Sequence, residues 1–92
     1  MADRYQTDWV VVADGFGYKN IVMDRATGKN VASTKTYHHS VAEMEKHANL
    51  VAAAPEMFVC LMQAKWLLEN GGEWTIEDQA AMSRAINKAM GK

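Results

Sequence analysis

A proline at position 55, set inside an otherwise helical pattern, constrains this chain more than any other residue. It stands in Ala48-Asn49-Leu50-Val51-Ala52-Ala53-Ala54-Pro55-Glu56-Met57-Phe58. Proline lacks the N–H that an interior helical turn needs and disfavours the α conformation at the residue before it. It suits the first turn of a new helix, where Glu56 also complements the helix dipole. The pattern therefore predicts a bend, with one helix ending near Ala54 and a second beginning at Pro55. The first helix opens at Ser40-Val41-Ala42-Glu43, the S-x-x-E capping box in which hydroxyl and carboxylate satisfy each other's backbone amides. Val41, Met44, Ala48 and Val51 follow at spacings of three and four and place one apolar stripe on one face, with Glu43, Lys46 and Asn49 outward.

The second predicted helix, residues 55–69, is apolar nearly all round through Phe58, Val59, Cys60, Leu61, Met62, Trp66, Leu67 and Leu68, so it needs cover on more than one side. At about fifteen residues, broken by Gln63 and Lys65, it is shorter than the roughly twenty apolar residues of a membrane span. Asn70-Gly71-Gly72 supplies a left-handed stop. Thr75 caps a third helix with Glu77 and Asp78 in its first turn, and Ile76, Ala80, Ser83, Ile86 and Met90 mark its apolar stripe. Upstream the period changes to that of strands. Asp8 to Ala13 is rich in β-branched residues, Gly15-Phe16-Gly17 breaks it, Tyr18 to Asp24 alternates, and Arg25 to Lys29 makes a loop with Gly28 at positive φ before a third strand from Asn30 to Thr36. The expected fold is α+β: an N-terminal three-stranded antiparallel sheet packed on a helix-Pro-helix hinge and a C-terminal helix. With 92 residues this is one domain, 1–92, whose β meander spans 1–37 and whose helical part spans 40–92.

A net charge of −1 argues against a protein that grips nucleic acid through bulk electrostatics. The charge is nevertheless polarised along the chain. Lys19, Arg25, Lys29 and Lys35 fall in the strand region with Asn20 and Asn30, whereas Glu43, Glu45, Glu56, Glu69, Glu73, Glu77 and Asp78 fall in the helical part. A basic hairpin of this kind can approach phosphates or an acidic protein surface; a solvated mixed surface is the plainer alternative. The N-terminus shows neither a basic start nor an apolar signal core, which predicts a cytoplasmic protein.

Reactive centres find little support. His38 and His39 are adjacent and point to opposite sides of an extended segment, and with His47 and Cys60 they lack the spacings of zinc sites, so no metal is expected. Cys60 reads as a small buried thiol rather than a nucleophile. Gly15-Phe16-Gly17 and Thr27-Gly28-Lys29-Asn30 lack the remaining spacing of nucleotide-binding loops. Ser33, Ser40 and Ser83 have no companion His and acid at meaningful spacing. No catalytic residue and no cofactor are predicted, and the chain is expected not to be an enzyme. Trp9, Trp66 and Trp74 read as core residues rather than as a stacking platform, with Trp74 stapled against the turn of Gln79 and Ala80, and Met57, Met62, Met82 and Met90 read as adaptable packing.

One stretch resembles a known group. His47-Ala48-Asn49-Leu50-Val51-Ala52-Ala53-Ala54-Pro55-Glu56 is similar to the Asn-Leu-Ile-Ala-Ala-Ala-Pro-Glu-Leu-Leu segment of small accessory proteins of tailed bacteriophages and prophages, and Ser83-Arg84-Ala85-Ile86-Asn87-Lys88-Ala89 resembles their last helix. Met57-Phe58 and Val59-Cys60 depart from that pattern toward a greasier helix. Small phage proteins of this size include inhibitors of host defence, the anti-CRISPR proteins among them. The resemblance implies stoichiometric binding to a CRISPR surveillance complex in the host bacterial cell, type I and subtype F, that blocks recognition of target DNA. The expected partners are Cas proteins and their guide RNA, with no membrane, and the expected partner-binding residues are Lys19, Asn20, Arg25, Lys29, Asn30 and Lys35. The alternative is a phage structural, assembly or regulatory protein that forms a homodimer through the helix of residues 55–69.

Overall fold

The computed structural model describes residues 8–35 and 40–92. The predicted end of the third strand at Thr36, and the predicted connection at His38 and His39, lie outside the described residues. Strands β1 (Trp9–Ala13), β2 (Lys19–Asp24) and β3 (Lys29–Ser33) form an antiparallel sheet in the order β1-β2-β3. Two helices follow, α1 (Val41–Asn70) and α2 (Ile76–Ala89). The α+β class and the N-terminal meander are as expected; the number of helices is not.

The sheet carries two irregularities that set its inner face. Val12 pairs with Ile21 but Ala13 pairs with Lys19, so Asn20 is an extra residue on β2; likewise Val22 faces Ala32 while Met23 faces Asn30, which leaves Val31 extra on β3. Such bulges bend a strand and re-aim a side chain. Here they leave Val22 fully buried against Ala48 and Ala52 of α1, with Trp9, Val11, Ala32 and Val51 packed around them. The β2–β3 connection places Gly28 at φ 71°. Glycine adopts that conformation without a Cβ penalty.

Both predicted caps form. Ser40 Oγ accepts the Glu43 amide at 3.2 Å, and Thr75 Oγ1 accepts the Asp78 amide at 3.1 Å while Asp78 Oδ2 accepts the Thr75 amide at 3.0 Å. Gly71, at φ 68°, ends α1 with its amide on the Leu67 carbonyl.

The predicted break at Pro55 does not occur. α1 runs through the proline as one helix of 30 residues. An interior proline costs about 3 kcal/mol because the carbonyl four residues upstream, here that of Val51, loses its donor. The helix stays continuous past this point because it is the shared support of both other layers: the sheet packs on it and so does α2. Ala48, Ala52 and Ala53, just before the proline, are at most 1% exposed, and a break there would uncover them. The doubled length also removes the argument that the helix is too short for a bilayer. By length and composition α1 suffices for a span.

α2 is rotated relative to the predicted stripe. Its inner side centres on Ala85, 2% exposed, with Asp78, Ala81, Met82, Lys88 and Ala89 half-buried around it. Ile76, Ile86 and Met90, predicted to face inward, are 89%, 48% and 55% exposed. A small residue at the centre of the contact lets two helices approach closely, and that geometry prevails over Ile76, Ile86 and Met90. At the end of α2, Gly91 (φ 77°) lies so close to α1 that a Cβ there would meet Asn49 Nδ2 at 2.5 Å.

The molecule measures 49 × 26 × 19 Å with a radius of gyration of 15.0 Å. A compact domain of this length has a radius of about 12 Å. The excess comes from the helical pair, which extends beyond the sheet.

Candidate partner-binding surface

β2 sorts the predicted binding residues into two groups. Lys19 begins the strand and Arg25 follows its end. The extended chain between them spans about 20 Å, at roughly 3.3 Å per residue. Lys35 lies with Lys19, since Thr34 donates its amide to the Asn20 carbonyl at 2.8 Å; Lys29 and Asn30 lie with Arg25, since Lys29 pairs with Asp24. Charges so far apart act separately at physiological salt, where the screening length is about 8 Å. The single basic patch expected from the sequence is thus two patches.

Arg25, Ala26, Thr27, Gly28, Lys29 and Asn30 are all exposed and make a hairpin tip. Its turn is braced by Asp24 Oδ1, which accepts the Ala26 amide at 3.0 Å, and by the Gly28 amide on the Asp24 carbonyl at 2.8 Å. Arg25 Nε stands 3.3 Å from Asp8 Oδ2, with both side chains more than half exposed. Such a pair contributes at most about 1 kcal/mol and leaves the guanidinium available to a stronger acceptor.

Asn20 must be withdrawn from the binding set. It is 1% exposed, because the bulge turns its side chain inward. Its Nδ2 donates to Asp14 Oδ2 at 3.0 Å, and its Oδ1 is buried without a hydrogen-bond partner. Asp14 Oδ1 in turn accepts the amides of Phe16 (2.8 Å) and Tyr18 (3.0 Å), which closes the β1–β2 turn. Desolvation pushes the Asp14 carboxyl up, but the Tyr18 amide, the Asn20 side chain, the Phe16 amide and the Lys35 charge together outweigh it and hold it below the ordinary value. Thr34 Oγ1 donates to the Met44 carbonyl at 2.7 Å and so ties this end of the sheet to α1. The Lys35 ammonium rests 5.3 Å above the ring of Phe16, which is 78% exposed. That is within the range at which a ring face attracts a cation.

Lys19 belongs to a site that its position in the sequence gives no hint of. With Glu45, Asn49, Lys88 and Lys92 it lines a cleft of about 300 Å³ between β1, α1 and the end of α2. Lys88 Nζ donates to Glu56 Oε1 at 2.7 Å in a part-buried pair. Glu56 Oε2 is buried without a hydrogen-bond partner. A family model for Salmonella phage P22 protein Y8K6 matches residues 1–92. The chain belongs to that family. It is therefore a bacteriophage protein. Comparison with curated proteins and with solved structures gave no match.

The other features of this Y8K6-family chain that could carry chemistry lie between the helices. Cys60 is half-buried, not fully buried as expected, and lines a cleft of about 230 Å³ with Gln63, Trp74 and Asp78. Burial pushes its thiol up; Arg84 offsets part of this and the charges of Asp78 and Glu56 add to it, so the thiolate is suppressed. Among the described residues no three His, Cys, Asp or Glu side chains group as metal ligands would. Of the tryptophans expected in the core, only Trp9 packs against it; Trp66 and Trp74 are 50% and 38% exposed, and Trp74 Nε1 donates to Gln79 Oε1 at 3.1 Å. Phe58, Leu61 and Leu68 on α1 are 47%, 69% and 87% exposed, although the sequence suggested a helix covered on several sides.

Proposed function

We propose that this phage protein is a non-enzymatic inhibitor of bacterial defence that binds stoichiometrically to a CRISPR surveillance complex and blocks recognition of target DNA, with the type I complex of subtype F as the target. The observation that carries the reading is the exposed β2–β3 tip, where Arg25, Lys29 and Asn30 present cations and an amide on a braced turn. Guide-RNA phosphates or acidic patches on Cas proteins are the natural acceptors for such groups, because cations and amides position a protein on phosphates without reading sequence. Membership of a phage family supports action inside a bacterial host. With a net charge of −1 the affinity must come from this local contact rather than from the field of the whole molecule.

The test is target-DNA binding by the purified surveillance complex with the protein added in equimolar amount. The native chain should abolish DNA binding, and the double variant Arg25→Glu, Lys29→Glu should restore it with an unchanged melting temperature. Full inhibition by the double variant would remove the tip from the mechanism, and no inhibition by the native chain would remove the target. A second reading, a homodimeric phage assembly or regulatory protein, is favoured by the exposed apolar side chains of α1.

A further inference from the structure

Three ammonium groups from separate parts of the chain converge on the cleft between β1, α1 and the end of α2. Lys19 opens β2, Lys88 lies in the last turn of α2, and Lys92 follows that helix. Gly91 fixes the last of them. In the left-handed region at φ 77° it turns the chain back, so that the Lys92 amide donates to the Asn87 carbonyl at 2.8 Å, and its α-carbon lies against Asn49 of α1. Lys88 is held by Glu56 at 2.7 Å. Among the described residues neither Lys19 nor Lys92 is paired with a carboxylate. Three cations around about 300 Å³, one of them paired, make a positive hollow in a chain whose net charge is −1.

We infer that this cleft binds a small phosphate monoester that carries hydroxyl groups, a sugar phosphate or a mononucleotide. A phosphate monoester bears close to two negative charges at neutral pH, which matches the two unpaired cations, Lys19 and Lys92. Lys88 adds donors, because one bond to Glu56 leaves two of its three N–H groups. A ligand with a single carboxylate would match only one of the cations. Glu45 and Asn49 stand one helical turn apart on α1 and line the same cleft. An ionised carboxylate accepts hydrogen bonds and repels phosphate, so the group that suits Glu45 is a hydroxyl away from the phosphate. Val10, Val11 and Ala52 supply apolar wall for the body of the ligand. Inorganic phosphate would leave both Glu45 and that wall unused.

The volume is that of one small molecule, at the lower end of ligand sites. A strand of nucleic acid fits less well, since it needs cations that continue along its backbone. Here Lys35 rests on Phe16, and Arg25 and Lys29 stand about 20 Å away at the far end of β2. The inference does not depend on the β2–β3 tip or on the identity of the host target.

Isothermal titration of the native chain with ribose 5-phosphate and with adenosine monophosphate tests it. At least one of them should bind one-to-one with a Kd below about 1 mM, and ribose should not. Amide shifts at Val10, Lys19, Asn49 and Gly91 should report the same event. Lys19→Gln and Lys92→Gln should each weaken binding at least about tenfold with unchanged circular dichroism. Glu45→Gln should narrow the preference for the ester over inorganic phosphate. Lys65→Gln, which removes an equal charge about 24 Å further along α1, should change nothing. Failure of both esters to bind overturns the proposal. So does inorganic phosphate that binds as tightly as either ester, a loss on Lys65→Gln equal to that on Lys19→Gln, or a single-stranded oligonucleotide that binds more tightly than adenosine monophosphate.

Discussion

Asp14 shows how a single side chain can hold the end of a sheet. Its carboxylate gathers two amides and the Asn20 side chain, and with Lys35 nearby its proton affinity falls below the ordinary aspartate value of 3.8. A carboxyl depressed in the folded state stabilises it above the unfolded-state value, and that contribution disappears as pH falls through the folded-state value. The melting temperature of the native chain should therefore exceed that of Asp14→Asn by a constant margin at neutral pH, and the margin should close as the pH drops below the ordinary aspartate range. A margin that ignores pH would mean that the amide replaces the carboxylate fully. The turn is announced by Gly15-Phe16-Gly17, but neither the part Asp14 plays in it nor the burial of Asn20 is legible in the sequence, because the bulge that inverts Asn20 depends on the partner strand. The split of the basic residues, by contrast, follows from a strand the sequence does predict: Lys19 and Arg25 stand at opposite ends of Tyr18 to Asp24, and an extended segment holds them about 20 Å apart. Arg25, Lys29 and Asn30 could be placed together because they flank one turn whose Gly28 announces it.

Elements with local punctuation were readable, and elements defined by packing were not. The box at Ser40, the cap at Thr75 and the stop at Gly71 fix three helix ends through hydrogen bonds among residues a few positions apart, and each forms as its pattern predicts. The rotation of α2 has no such marker. Ile76, Ile86 and Met90 dominate any hydrophobic stripe, yet the buried side of α2 centres on Ala85, whose value lies in being small. Enlarging the contact should be costly and shrinking the outside cheap: Ala85→Leu should destabilise by about 1–3 kcal/mol through overpacking, and Ile86→Ser by less than about 0.5 kcal/mol. Thermal unfolding of the two variants measures this, and equal losses would mean that α2 rides on α1 the other way round. Pro55 misleads for the complementary reason. Its local cost is real, but it is set against the burial of Ala48, Ala52 and Ala53, which only the assembled layers reveal.

At the scale of the whole molecule α1 is the one element that every layer touches. The sheet and α2 pack against it on different sides and scarcely meet each other. Amide hydrogen exchange in the native chain should accordingly be slowest in the turns around Ala48 to Ala53, where both layers cover the helix, and faster beyond Leu61, where only α2 does. Slowest exchange in the last turns of α1 would contradict this arrangement. The elongation that separates the two regions was not foreseen, since a break at Pro55 would have folded the helical part back on itself. An unbroken α1 works as an axle with two independent bearings. Either the β hairpins or the terminal helix can be replaced in a descendant chain without disturbing the seat of the other.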